Sequence, residues 1–277
     1  MLHDLIVAPF GLGFMRRALA GCLALSVAAP PLGVFLVLRR MSLMSDVLQH
    51  GVLPGIAVGA AIGGLSVWAM GAGGIVAGLI VALLAGWFAR RTGTAEDSQL
   101  AGLYLVALAA GVAMVSAQRG VDLTHLLFGS VLAVDNTALF AMAGAATLTL
   151  PVLAVIWRPM VLESLDPGFP SSFGGLWHGC FLGLVVISVV SGFEALGTLM
   201  SVGLMMLPAI AARHWCGSLA GQVTLSVALA IAASVLGLLI SFNVEIPAGP
   251  AIVLSAGAFW VVSLVAGPRE GLIRRRL

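Results

Sequence analysis

Lysine is absent from this 277-residue chain, and charged residues of all kinds make up only 9% of it. Soluble domains carry about 25% charged residues, so a water-facing surface of ordinary extent is excluded. The formal charge of +2 is too small to point to nucleic acid. Cysteine is scarce: Cys22, Cys180 and Cys216 are odd in number, far apart and without a C-x-x-C. Neither a disulfide framework nor a thiolate metal site is indicated, and small packing residues are the reading. No G-x-x-x-x-G-K-[ST] loop is present to cradle phosphates, so any energy from ATP has to come from another chain. H-E-x-x-H and G-x-S-x-G are missing too. An intramembrane hydrolase would therefore need a serine and a histidine brought together from distant segments. A cleavable signal is not expected, because His3 and Asp4 precede a Gly-rich start and Arg16-Arg17 come before the first long apolar run.

What is abundant is apolar: 61% of residues, a mean hydropathy of +1.14 and 35 glycines. The fold class expected is an all-α integral membrane protein, a polytopic helical bundle with residues 1–277 as a single transmembrane domain. A spanning helix needs about 20 mostly apolar residues. Nine stretches qualify as candidates: 17–38, 47–66, 69–89, 98–117, 136–157, 176–192, 197–212, 219–242 and 249–266. The count is eight or nine, since the sixth and seventh are divided only by Ser191-Gly192-Phe193-Glu194. Gly55/Gly59 and Gly179/Gly183 have the spacing of close helix packing in lipid.

Arginine placement sets the expected orientation. With nine crossings and a cytoplasmic C-terminus, ten of the thirteen arginines fall inside: Arg39, Arg40, Arg90, Arg91, Arg158, Arg213, Arg269, Arg274, Arg275 and Arg276. Arg16, Arg17 and Arg119 fall outside, as does the N-terminus. The inner connections are then 39–46, 90–97, 158–175 and 213–218, the third read as an irregular polar loop. The external loop 118–135 ends in an apolar run, 126–134, too short to span and suited to an interfacial or re-entrant helix.

One stretch, Arg39 to Gly55, stands out as R-R-M-S-L-M-S-D-V-L-Q-H-G-V-L-P-G. Asp46 and His50 lie four apart, which on a helix places both on one face. A carboxylate and an imidazole so placed can share a divalent transition metal. The plainer reading is a helix cap by Asp46 and a histidine held by a backbone carbonyl. Ionisable groups in a lipid-embedded segment are costly and usually functional, which favours the metal reading. Asp46 follows Arg39-Arg40 by only a few residues, so the depth of the pair is left open. His50 has to be neutral to bind a metal, so binding should weaken on acidification. Glu194, between two apolar runs, reads either as an outer-gate residue that guides cations or as an exposed turn residue. Arg213-His214-Trp215-Cys216-Gly217 is a basic, aromatic turn that suits a membrane interface. His125, His178 and Glu245 read as interfacial or loop residues.

The Arg39–Gly55 stretch closely resembles the second-segment signature of the bacterial metal-ion ABC permeases, the zinc, manganese and iron branch of ABC importers. The resemblance continues in Pro9-Phe10 and Met15-Arg16-Arg17, in Leu127 to Asp135, in Glu194 to Ala209 and in Ile246-Pro247-Ala248-Gly249-Pro250. Five motifs in order cover nearly the whole chain. The resemblance implies a bundle like that of type II ABC importers, acting as a permease and not itself an enzyme. It implies a homodimer with two cytoplasmic ABC ATPase subunits that hold the ATP. A periplasmic or lipid-anchored metal-binding protein would deliver the ion, and the setting is the bacterial inner membrane. The chain is expected to hold no resident cofactor, and its cargo to be a divalent metal, zinc favoured and manganese or iron open. Asp46, His50 and Glu194 are the implied metal contacts. Residues about 209–221, with Arg213, His214, Trp215 and Gly217, are the implied ATPase-coupling region. An ion-coupled secondary transporter is the principal rival, and it would act without a partner ATPase.

Overall fold

The computed structural model describes residues 8–42, 44–64, 66–93, 96–117, 131, 134–165, 176–269 and 271. Among these there are helices and no strands. They are α1 (Ala8–Gly11), α2 (Gly13–Leu38), α3 (Met44–Gly51), α4 (Leu53–Gly63), α5 (Val67–Thr92) and α6 (Glu96–Ala117). After these come α7 (Asn136–Leu165), α8 (Leu176–Leu196), α9 (Thr198–Trp215), α10 (Leu219–Val244) and α11 (Ala248–Ala266). Six are long and apolar enough to cross a membrane: α2, α5, α7, α8, α10 and α11. The rest of the expected spans differ in kind. Ala101–Ser116 of α6 is a shorter apolar stretch, α9 ends in Arg213-His214-Trp215, and the stretch 47–66 is split into α3 and α4.

That split has a local cause. Pro54 has no N–H, so the helical bond from residue 54 to the His50 carbonyl cannot form. The chain turns at Val52 and restarts as α4 with Pro54 in its first turn.

Helix α2 is the hub, packing against α7, α8, α9 and α10. Its apolar window is 72% buried, against 28% for α5, so α2 is an interior helix and α5 a peripheral one. Helices α4, α5 and α6 pack on one another, while α3 and α8 touch both groups. Small residues permit the closest approaches. A Cβ at Gly33 would overlap the Met205 carbonyl, and Gly55 and Gly73 face each other's carbonyls the same way. Gly55 and Gly59 thus pack tightly, as expected. Gly179 and Gly183 do not: nothing lies within 4 Å of a Cβ at Gly179, and only Leu79 Cδ2 approaches Gly183, at 3.9 Å.

Two boundaries depart from expectation. The break between α8 and α9 falls at Gly197, whose φ of 87° suits glycine, and not at 191–194. Helix α7 runs on through 158–165, read from sequence as loop, with Pro151 and Pro159 inside it. The external run 126–134 lies almost wholly outside the described residues. Asp135 caps α7, accepting a hydrogen bond from the Ala138 N–H at 2.8 Å.

Candidate functional site

Helix α3 is eight residues long, about two turns, and four of its residues are polar: Ser45, Asp46, Gln49 and His50. Asp46 lies inside the helix, in its first turn and not at the cap. Its Oδ1 stands 3.8 Å from His50 Nε2, too far for a hydrogen bond. The Asp46 side chain is 56% exposed and the His50 side chain 23%. His50 Nδ1 is buried and, among the described residues, has no hydrogen-bond partner, so no carbonyl of theirs holds that nitrogen. The ring instead lies against Tyr104 of α6, with centroids 5.5 Å apart and planes tilted by 52°.

This spacing fits a shared ion. Two ligands each about 2.1 Å from one metal, at the angles of tetrahedral or octahedral coordination, stand roughly 3.0–3.4 Å apart. A shift of a few tenths of an ångström in either side chain closes the difference.

Depth follows from packing against α5. Gly51 faces Val81, close to the middle of that 26-residue helix, and Asp46 lies a little over one turn nearer its Thr92 end. Along the helix axis the pair therefore lies between the end and the middle of α5, and it stays open on the Asp46 side.

Glu194 lies elsewhere. It is in the last turn of α8, a helical residue and not a turn residue, with its Oε2 3.1 Å from where a Gly71 Cβ would stand. Its Oε1 is buried without a hydrogen-bond partner. The carboxylate lines a cleft of about 320 Å³ between α5, α7 and α8, walled by Trp68, Ile75, Phe140 and Leu148. Gly71 and Val81 are ten residues apart on α5, which sets Glu194 about 15 Å along the bundle from His50. Among the described residues no group of three or more His, Cys, Asp or Glu side chains converges on one point. Asp46 and His50 come together; Glu194 does not join them.

The basic turn closes α9. Arg213 is exposed and Trp215 is 41% exposed, with its Nε1–H donating to Ser263 Oγ at 2.9 Å. His214 faces inward and is buried. Ser218 caps α10 by accepting from the Gly221 N–H at 3.3 Å.

Sequence reasoning missed three features. Tyr104 is the chain's one tyrosine, placed in an apolar run, and that oddity was a usable signal. Ser45 and Gln49 are fully buried, with Ser45 Oγ and Gln49 Nε2 unpartnered, which no spacing rule reveals. Arg39, read as a topology anchor, is tied into an ion-pair cluster with Glu163 and His178, residues far away in sequence.

The model of the ABC 3 transport family matches residues 12–267. The chain belongs to that family. It is 31% identical over 261 residues to the manganese import system permease protein ScaB of Streptococcus parasanguinis, covering 93% of this chain and 92% of that one. Identity to the chelated iron transport system membrane protein YfeD of Yersinia pestis is 30% over 272 residues, 96% and 89% of the two chains. The solved structure of PsaBC from Streptococcus pneumoniae in complex with Fab superposes with a TM-score of 0.86 at 28% identity, covering 100% of both chains. The resemblance read from the motifs thus stands, and this family member is a permease subunit of a metal ABC importer. The lean to zinc finds no counterpart in these relatives, whose names give manganese and iron.

Proposed function

We propose that the chain forms the membrane path of an ATP-driven importer for manganese or ferrous iron, with Asp46 and His50 as the transient contacts. The observation that supports it is the Asp46–His50 pair itself. The two side chains stand 3.8 Å apart on one short helix, His50 mostly covered and Asp46 open on its outer face, with the helix interrupted just beyond them. A carboxylate with an imidazole, and no thiolate, suits manganese and iron, in keeping with the relatives' names. Two protein ligands also hold an ion loosely, as a path requires if it is to release its cargo. Glu194, about 15 Å away in its own cleft, is a second polar station on the outer side.

The rest of the assembly follows the same reading. The chain crosses the membrane nine times, α3 and α4 together making one crossing, with its N-terminus outside and C-terminus cytoplasmic, and the whole chain acts as one domain. ATP is bound and hydrolysed on separate subunits docked at the turn after α9, with Arg213, Trp215 and Gly217 at the contact. His214 supports that turn from within. A binding protein delivers the metal from outside. The second permease chain is a copy of this one, which the mass of the purified complex tests.

The decisive experiment is manganese uptake into proteoliposomes holding the complete complex. Asp46→Asn keeps shape and removes charge; His50→Gln keeps polarity and removes the imidazole. Each is expected to lower uptake at least about tenfold, the loss of about 1.4 kcal/mol or more of metal contact, with ATPase association unchanged. Near-normal uptake by both variants would defeat the assignment. Uptake without any ATPase would instead favour the ion-coupled rival.

A further inference from the structure

The turn after α9 does not stand alone. The arm that follows α11 is pinned across it by the main chain. Gly267 N–H donates to Ser263 O at 2.8 Å, continuing the end of α11. Gly267 then lies so close to α9 that a Cβ there would be 2.7 Å from His214 Cβ. Two residues later, the Arg269 N–H donates to the His214 carbonyl at 3.2 Å. The Arg269 side chain extends over the turn, where a Cβ at Gly217 would overlap its guanidinium carbon. Gly217 is therefore the seat of an arginine as well as a bend. From the other side, Trp215 is tied to Ser263, and the Gln222 Nε2–H bonds the Cys216 carbonyl at 3.0 Å. The turn and the arm form one surface joined by three contacts, with α11 and α10 bracing the turn through Ser263 and Gln222.

We infer that this arm, through Arg269, is the second half of the ATPase-docking surface, and that the partner presents an acidic patch to it. The inference rests on the coupling role proposed for the turn and extends it to a segment remote in sequence. Charge decides the chemistry of the partner. Arg213 and Arg269 are both exposed beside the half-exposed Trp215 indole. No carboxylate occurs between residues 195 and 244, and residues 268–277 hold four arginines against one glutamate. Exposed arginines flanking an aromatic are what a contact surface is enriched in, and complementary charge speeds and orients docking. Continuity with the turn favours a protein over anionic lipid as the occupant, because the arm is fastened to the turn and not free to splay along a bilayer.

The test uses the assembled permease–ATPase complex in native membranes, with a photoreactive amino acid at Arg269 or at Ala220, an exposed position in the first turn of α10. Cross-linking to the ATPase from both positions supports the inference. Cross-linking from 220 alone overturns it and leaves the turn's coupling role standing; from neither, both fall. Cross-linking from 269 alone keeps the arm as the contact and removes the turn. A product of 269 with anionic lipid in place of the ATPase also overturns it. Arg269→Glu is expected to cut ATP-dependent uptake about tenfold by setting like charges face to face, while Arg269→Lys retains most of it. Equal uptake by the Glu and Lys variants would refute a role for charge.

Discussion

Removing the Arg39 side chain should loosen three helices at once. Its side chain is only 8% exposed and reaches α7 and α8 from the end of α2. Nη2 lies 2.8 Å from Glu163 Oε2, Nη1 donates to His178 Nδ1 at 2.6 Å, and Nε donates to Ser164 Oγ at 3.3 Å. Below the guanidinium is the Phe181 ring, 5.5 Å away at its centroid. Breaking a fully buried ion pair costs about 3–5 kcal/mol because a charge is stranded. Here Glu163 is 34% exposed, so water recovers part of that loss. About 2–3 kcal/mol remains for Arg39→Ala once the lost hydrogen bonds are counted. At roughly 2–3 °C per kcal/mol for a chain of this size, the apparent melting point should fall by about 5–8 °C. Arg39→Lys should recover less than half, since an ammonium cannot present the guanidinium's fork to three acceptors. The assay is thermal unfolding of purified protein in detergent, run also on Glu163→Gln and on the double variant. If the cluster acts as a unit, the double variant loses less than the sum of the singles. A melting point within about 1 °C of wild type for Arg39→Ala would refute the reasoning.

Three further outcomes are expected. Asn243→Cys and Arg91→Cys, each in a background without other cysteines, should react with a membrane-impermeant thiol reagent from opposite sides, Asn243 from outside; same-side labelling would remove the nine-crossing scheme. Gly33→Val should destabilise the protein by more than about 2 kcal/mol, because its branched side chain has to displace the Met205 backbone of α9; unchanged expression and melting would sink this. Tyr104→Ala should lower the apparent metal affinity in uptake several-fold by freeing the His50 ring, with Tyr104→Phe close to wild type; equal losses in the two would point to the hydroxyl and not to ring packing.

The sequence made the apolar helices and the Asp46–His50 pair legible because both rest on local spacing. Where reading failed, a long-range contact had decided the matter. Gly192 and Gly197 are five residues apart, and either could have ended α8. Gly192 is instead held in the helix, against Ser201 of α9, while Gly197 takes the positive φ. The polar look of residues 191–194 then made Glu194 resemble a turn residue. Residues 158–165 carry Pro159, Glu163 and a serine, which read as loop; Ser164 Oγ bonds the Met160 carbonyl at 2.6 Å and Glu163 pairs with Arg39, so the helix continues. That pairing crosses more than a hundred residues of chain, and no pattern in either segment announces it. The depth of Asp46 was likewise undecidable until α5 supplied a ruler.

On the assignment proposed for Asp46 and His50, their placement on one short helix constrains how the cargo can be released. Asp46 and His50 are one turn apart on α3, so the backbone fixes the separation of their Cβ atoms and the two residues travel with one helix. No movement of one helix against another can therefore switch affinity by pulling the two residues apart. It has to change through what faces them: Tyr104 on α6, and whatever reaches the ion from α5, α8 or α9, all of which touch α3. Helix α3 is suited to such relative movement. It is separated from α2 by the turn beginning at Arg39 and joined to α4 through Val52 with the bond at Pro54 missing, and among the described residues Ser45 Oγ and Gln49 Nε2 are buried without partners. Each unmade bond leaves about 1–3 kcal/mol unrecovered, a cost that a second position of the helix could relieve. Helix α2, buried along most of its length and closely seated on α9 at Gly33, has no such slack. The physical division is thus between a fixed hub and a short, polar, poorly satisfied helix beside it, and the metal path proposed above runs along the second.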